Sequence, residues 1–167
     1  MKKIFILLIF CCLFFKINAQ EFEGIAKGDK EVSFYGMVIA TQGFTMGDIY
    51  LSYGYYFTKK LEVGLAPGVT ITSDNTDVSG QLFVNYNFSN NKPTFPYVKA
   101  SYYQQTFDTG ESGFFSAGFI EAGLGLKSFF NSKVSWDTSI VYGFPAKSGG
   151  SSGSGMLMLL TGISIKW

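Results

Sequence analysis

The sequence predicts an all-β protein in which eight antiparallel strands, in up-and-down order, close into a transmembrane β-barrel. Three observations favour this fold class. The N-terminus carries a short apolar segment with the features of an export signal. The rest of the chain alternates apolar with small or polar side chains at every second position. Aromatic residues make up 18% of the chain and charged residues only 15%, against about 25% in soluble proteins.

Residues 1–19 are predicted to be a secretory signal peptide. Two lysines precede the apolar run 4–15, which is too short to cross a bilayer as a helix, since that needs about 20 residues. Ala19 lies directly before the expected cut at Gln20. We therefore expect an exported protein.

The exported chain is predicted to begin with a polar, loosely ordered lead-in at 20–30, followed by one barrel domain at 31–167. The glycines and the β-branched and aromatic residues of that domain disfavour continuous helix. Short polar turns alternate with longer loops, of which 145–155 is of low complexity. In chain order, the strands are expected at 31–41, 48–58, 61–72, 81–88, 95–107, 115–130, 134–144 and 157–167.

The two faces of these strands indicate which solvent surrounds the barrel. The polar faces consist mainly of Gly, Ala, Ser, Tyr and Asn, which would make a poor coat in water. The apolar faces carry almost no charge and place aromatic residues near the strand ends, as in the girdles of a membrane barrel. A soluble, lipocalin-like barrel, the alternative, turns its apolar face inward. Closure is also required, because an open strand edge has no hydrogen-bond partners in hydrocarbon.

The composition excludes several classes of function. The chain has no histidine, and its cysteines, Cys11 and Cys12, both lie in the predicted signal peptide. This disfavours disulfide scaffolds, nucleic-acid binding and most zinc or histidine-dependent enzymes. Glu121 and Asp137 are interpreted as lumen salt-bridge partners rather than an acid–base pair. We therefore predict no catalytic residue, no metal ligand and no cofactor.

One loop offers oxygen ligands without the spacing of a known cation site. Asp74, Asn75 and Asp77 lie within the predicted loop 73–80 and carry the oxygen atoms that could hold a calcium ion. They lack the regularly spaced acidic ligands and the closing Glu of an EF-hand. A solvated loop is the expectation for this segment.

Charges on the predicted inward face suggest a candidate site. Folding the chain about the turn at 131–132 brings Lys127 opposite Asp137, and pairing the fifth and sixth strands brings Lys99 near Glu121. Buried charges are tolerated only when they are paired and hydrogen-bonded. With Glu31 as a further inward charge, the hypothesis is an ionic plug formed by Glu62, Lys99, Glu121, Lys127, Asp137 and Lys166. The alternative, a satisfied lumen without a gating role, stays open.

The segments GYYFTKKLEVGLAPGV and MLMLLTGISIKW, together with the signal peptide and eight strands, resemble the small outer-membrane β-barrel proteins (OmpA-, OmpX- and OmpW-like) of diderm bacteria. The resemblance implies an outer-membrane location with both termini in the periplasm. It also implies a monomer that contacts outer-membrane lipid and is assembled by the barrel-assembly machinery. In that family the machinery reads a C-terminal aromatic residue and alternating apolar residues before it, which here are Ile163, Ile165 and Trp167.

Several functions are compatible with such a barrel. A side-chain-filled polar lumen favours a structural role in the cell envelope, without catalysis. The resemblance to OmpW implies the alternative of a narrow passive channel for small or apolar solutes. A surface adhesin is disfavoured by the short, Gly- and Ser-rich loops.

Overall fold

A computed structural model describes residues 22–41, 44–72, 76–89, 91–108, 114–146 and 155–167. The predicted signal peptide lies outside these residues, as do Asp74, Asn75 and most of the low-complexity loop. Within the described part of the chain, no helix is long and apolar enough to cross a membrane.

Eight strands form one closed antiparallel barrel in which each strand pairs with its neighbours in the chain and the last pairs with the first. The predicted fold class is thereby confirmed. The strands are β1 (Lys30–Thr41), β2 (Phe44–Tyr56), β3 (Leu61–Thr72), β4 (Thr76–Asn87), β5 (Thr94–Asp108), β6 (Phe114–Phe129), β7 (Val134–Pro145) and β8 (Met156–Lys166).

Two strands begin earlier than the alternation predicted. β2 was expected from residue 48 and β4 from residue 81, but pairing continues to Thr41↔Phe44 and Ile71↔Thr76. The added residues include glycine, serine and aspartate, which are typical of loops. In this barrel those polar residues face inward, and the unbroken backbone ladder keeps them in the strand.

Where the structure describes the side chains of a strand, outward residues are exposed or half-buried and most inward residues are buried. In β4, outward Leu82 is 63% exposed, whereas its neighbour Phe83 is 5% exposed. A soluble barrel shows the reverse arrangement, with apolar residues inside. The outward set is strongly apolar and includes Phe34, Leu51, Leu65, Val78, Ile120, Leu124, Ile140, Leu157 and Leu159.

We name the two ends of the barrel by their connections. The turn end carries the turns after β2, β4 and β6 together with the start of β1 and the end of β8, and the loop end is opposite. Along β2 the inward residues run from the turn end to the loop end in the order Tyr56, Gly54, Ser52, Tyr50 and Asp48. The interior is therefore layered, with a charged region near the turn end and an apolar layer above it. The apolar layer consists of Met37, Tyr50, Ala66, Phe83, Tyr103, Val141, Met158 and Leu160.

Residues 22–29, which we call the strap, pack across the turn end. Ile25 is 3% exposed, and the ring of Phe22 lies with its centroid 4.7 Å from that of Phe129. Gly24 and Gly28 have φ of 83° and 95°, which favour glycine. The sequence predicted a loosely ordered lead-in at 20–30 and did not indicate this packing of 22–29 against the barrel. The reason lies in tertiary packing, because Phe22 and Ile25 contact residues of several strands that come together only in the closed barrel.

Lys166 fixes the strap to the last strand. Its Nζ donates a hydrogen bond to the Gly24 carbonyl oxygen at 2.7 Å and lies 2.9 Å from Asp29 Oδ2. The backbone continues the attachment, since Gly28 N–H donates to the Tyr56 carbonyl at 2.8 Å. The strap and the end of β8 are therefore held together at the turn end of the barrel.

Candidate functional site

A buried lysine organises the charged region of the lumen. Lys127 is 0% exposed, and its Nζ donates to Glu31 Oε1 at 2.6 Å and to the Tyr56 hydroxyl at 3.1 Å. The same Nζ lies 3.7 Å from Glu62 Oε2 and 3.8 Å from Asp137 Oδ2. These partners belong to β1, β2, β3 and β7, whereas Lys127 belongs to β6. One ammonium group thus ties five strands together across the lumen.

Strand register and a glycine bring these groups together. Lys127 is the direct partner of Asp137 across the β6–β7 pair, as the position of the turn predicted. Glu62 pairs with Tyr56 in register, and its carboxyl group occupies the space that a side chain at Gly54 would fill. Glycine at position 54 therefore makes room for the carboxylate inside a narrow barrel.

Neutral donors satisfy the carboxylates that share Lys127. The Tyr35 and Tyr97 hydroxyls donate to Asp137 Oδ2 and Oδ1 at 3.1 and 2.6 Å. Asn85 Nδ2 donates to Glu62 Oε2 at 3.0 Å. Buried ion pairs are tolerated when the remaining lone pairs are hydrogen-bonded in this way. The cluster holds three carboxylates and one ammonium, so its formal charge with all groups ionised is 1 − 3 = −2.

Lys99 and Glu121 form a second polar group, joined through an amide. Lys99 Nζ donates to Gln81 Oε1 at 2.9 Å, and Gln81 Nε2 donates in turn to Glu121 Oε2. Ser101, the strand partner of Glu121, donates to the same oxygen at 2.7 Å. The expected proximity is therefore mediated by Gln81, and the described residues show no direct ion pair between Lys99 and Glu121.

The six residues assigned to the plug fall into three groups. Glu62, Lys127 and Asp137 share one cluster with Glu31, whereas Lys166 binds the strap. Sequence reasoning missed the inward-facing Asp48 and Asp77, which are 2% and 4% exposed. Asp48 lay within the predicted strand 48–58 on the same face as Tyr50, so the alternation already placed it inward. Extending the alternation of β4 toward its loop end would have found Asp77.

The proposed assembly residues lie on the outer face of the last strand. Ile163, Ile165 and Trp167 are 47%, 52% and 54% exposed. Trp167 also exchanges two backbone hydrogen bonds with Lys30, each of 3.0 Å. The C-terminal residue thus closes the pair of β1 and β8 at the turn end.

Side chains pack closely where the polar groups meet the apolar layer. A cavity of about 10 Å³ lies between the polar groups and the apolar layer, bordered by Tyr35, Gln81, Phe83 and Lys99 among others. That volume accommodates about one water molecule. In the described ranges no group of three or more His, Cys, Asp or Glu residues is arranged to hold a metal ion.

Comparisons with known proteins bear on the fold. No protein-family model matches the sequence, and no curated protein matches it either. Among solved structures, the N-terminal β-barrel domain of OprF from Pseudomonas aeruginosa superposes with a TM-score of 0.68 at 21% identity. That match covers 87% of this chain and 100% of the OprF domain.

Two further structures are similar. Neisserial surface protein A (NspA) has a TM-score of 0.62 at 16% identity, with 83% of this chain and 96% of NspA covered. The outer membrane protein OprG from Pseudomonas aeruginosa has a TM-score of 0.58 at 12% identity, with 86% and 98% covered. At these identities the likeness concerns architecture. The chain has the fold of the small eight-stranded outer-membrane β-barrels.

Proposed function

We propose that this protein is an integral outer-membrane barrel with a structural role in the envelope and no catalytic activity. The observation that carries the proposal is the closed lumen, in which one buried lysine joins five strands and side chains fill the layer above it. An interior built in this way stabilises the wall and leaves little space for a solute.

The outer surface supports the membrane location. Exposed aromatic residues lie near the turn end and the loop end of the apolar band, as in the girdles of membrane barrels. Those near the turn end are Phe57, Phe88, Trp136 and Trp167, and those toward the loop end include Tyr142 and Phe144. The proposed environment is outer-membrane lipid around a monomeric barrel.

The lengths of the connections support an orientation. Outer-membrane barrels have short periplasmic turns and longer extracellular loops. Here the short turns share one end with the start of β1 and the end of β8. We therefore place the turn end, the strap and the C-terminal Trp167 in the periplasm, where the barrel-assembly machinery would read Ile163, Ile165 and Trp167.

The second candidate function, a narrow passive channel, is favoured by the arrangement around Lys127. Its Nζ has three carboxylates within 4.0 Å, so one contact can break while the others remain. A lysine that exchanges partners would act as a gate between two states of the lumen.

Conductance in planar bilayers separates the two functions. Under the structural proposal, wild-type protein that is shown to be inserted gives no steady openings. Lys127→Ala and Asp137→Ala test the gate, and Lys133→Ala, an exposed residue in the turn before β7, is the matched control. Steady wild-type openings that change in the Lys127 and Asp137 variants but not in the control would favour the channel instead.

A further inference from the structure

Two buried carboxylates lie apart from the lysine clusters, toward the loop end of the lumen. Asp48 on β2 and Asp77 on β4 are 2% and 4% exposed. In register, both are partners of Thr70 on the intervening strand β3, and Thr70 is completely buried. The three residues therefore form one row on the inner wall of the barrel.

The row places Asp48 and Asp77 on inward-facing positions of two strands that are separated only by β3. Neighbouring strands are about 4.8 Å apart, so the Asp48 and Asp77 backbones are about 10 Å apart. Two strands out of eight span a quarter of the circumference. Side chains that point inward over such an arc converge toward the barrel axis.

No described basic residue compensates this pair. Ion pairs in the described ranges involve only Lys127 and Lys166, both near the turn end. The Lys99 ammonium group binds Gln81, which lies four residues from Asp77 along β4. The Gln81 and Asp77 backbones are therefore about 13 Å apart. Uncompensated buried carboxylates are costly. A positively charged ligand would remove that cost.

Unpaired polar atoms point to a missing ligand. Asp48 Oδ1 and the Ser79 hydroxyl are buried and have no hydrogen-bond partner in the structure. The other Asp48 oxygen, Oδ2, accepts a hydrogen bond from the Tyr50 hydroxyl at 3.1 Å. Ser79 belongs to the same neighbourhood, because its Oγ and the Tyr50 ring both lie over Gly68. Six further buried atoms of the described residues, in Asn85, Asn87, Gln105, Ser135 and Ser164, also lack partners. The two atoms at this site therefore support a bound ion only together with the uncompensated charge of Asp48 and Asp77.

The donor set selects the kind of ion. Carboxylate and hydroxyl oxygens suit a hard cation, and two carboxylates balance a charge of +2. Calcium accepts irregular sets of oxygen ligands completed by water, whereas magnesium demands near-ideal octahedral geometry. We propose that Asp48 and Asp77 bind one calcium ion at the loop end of the lumen, with Thr70 and Ser79 supplying neighbouring hydroxyl oxygens.

Strand pairing explains why the sequence did not indicate this site. The spacing of Asp74, Asn75 and Asp77 fits no cation-binding loop, and the partner carboxylate comes from another strand. The proposal is also independent of whether the lumen conducts, since it concerns the opposite side of the apolar layer from Lys127.

Terbium luminescence tests the site in the protein purified in detergent micelles. Tb³⁺ replaces Ca²⁺ and emits when a nearby tyrosine is excited, and Tyr50 contacts Asp48 directly. We expect saturable emission at one Tb³⁺ per protein, displaced by Ca²⁺. Asp48→Asn and Asp77→Asn should each weaken binding by at least about tenfold, a loss seen even for residues that only support metal ligands.

Glu121→Gln is the matched control, because Glu121 is an equally buried carboxylate whose partners are Gln81 and Ser101. It should leave Tb³⁺ binding unchanged. Emission that is not displaced by Ca²⁺, or that both aspartate variants leave unaltered, would overturn the proposal.

A measurement on the wild-type protein alone guards against variants that fail to fold. A ligand that binds only the folded state raises the unfolding temperature. Heating samples in Ca²⁺ and in EDTA and following the mobility shift of the barrel on gels should show a higher unfolding temperature in Ca²⁺. Equal temperatures in the two conditions would contradict a calcium site.

Discussion

At the scale of single residues, Lys127 differs from an ordinary surface lysine because every one of its polar partners is buried. Its ammonium group is shared by Glu31, Glu62 and Asp137. The sequence predicted the contact with Asp137, since the strand register alone determines it. The contact with Glu31 was not predicted, because it crosses the lumen between strands that are not neighbours and depends on side-chain length.

Lys127→Met removes the ammonium and leaves the three carboxylates without a cation. We expect a loss of about 3–5 kcal/mol in the free energy of unfolding, the usual cost of orphaning a buried charge. Urea unfolding followed by tryptophan fluorescence measures it. Lys133→Met, on the exposed turn, should cost less than about 0.5 kcal/mol, and equal losses in both variants would contradict the role assigned to Lys127.

Two glycines make a matched pair for testing how tightly the lumen is filled. A methyl group at Gly54 would overlap the Glu62 side chain, whereas one at Gly80 would meet no atom within 4 Å. Gly54→Ala should destabilise by about 1–3 kcal/mol, as overpacking does. Gly80→Ala should be neutral or stabilise by up to about 1 kcal/mol. The midpoints of urea unfolding give both values. An unchanged midpoint for Gly54→Ala would mean that the lumen has room for the added methyl group.

At the scale of elements, the alternation of apolar with small or polar residues predicted the strands well. The reason is that the outward face of each strand is apolar, whereas the inward face carries polar, charged and aromatic residues. It failed at the loop ends of β2 and β4, which begin before the predicted residues 48 and 81. In β4 the added residues Asp77 and Ser79 belong to the inward face but resemble loop residues. It also failed for the strap, since nothing local distinguishes Phe22 and Ile25 from other apolar residues in a polar segment. What was missed depends on contacts between distant parts of the chain.

The outward face of β3 offers a test of the membrane environment. Leu65 is 50% exposed near the middle of the strand, and Leu61 lies on the same face at the turn end. Leu65→Arg should destabilise by about 2–4 kcal/mol and Leu61→Arg by about 0–1 kcal/mol, because the cost falls from the bilayer midplane to the interface. Reversible unfolding from lipid vesicles measures both. Equal losses of unfolding free energy at the two positions would contradict the proposal that Leu65 lies near the bilayer midplane and Leu61 near the interface.

The strap should detach when its apolar anchor is shortened. Ile25 packs with Tyr56, Phe95 and Phe129, so Ile25→Ala weakens the docking of the whole segment. We expect faster amide hydrogen exchange in residues 22–29, because the bond from Gly28 N–H to the Tyr56 carbonyl then opens more often. Glu23→Ala, at an exposed position, should leave the exchange rates unchanged. The same rates in all three proteins would show that Ile25 is not the anchor.

At the scale of the whole molecule, the barrel is closed by the pairing of its first and last strands. The pair of β1 and β8 runs only from Glu31↔Lys166 to Gly36↔Thr161, whereas β1 and β2 remain paired as far as Thr41↔Phe44. The closing contact is therefore concentrated near the turn end. The C-terminal residue and the strap both contribute there.

Removal of Trp167 tests the proposed assembly signal. The deletion should slow folding into the membrane and lower the amount of protein in the outer membrane, whereas Trp167→Phe keeps an aromatic residue and should assemble normally. Cell fractionation with the gel-mobility assay for folded barrels measures both. Unchanged outer-membrane levels after the deletion would count against the signal.

The packing of the strap also depends on complete closure of the barrel. Its anchors touch strands from the beginning, the middle and the end of the chain, from Tyr56 through Phe95 and Phe129 to Lys166. These surfaces come together only after the final strand has joined the first. The strap therefore cannot complete its contacts before the barrel closes, and a chain that stalls before closure would leave these residues exposed.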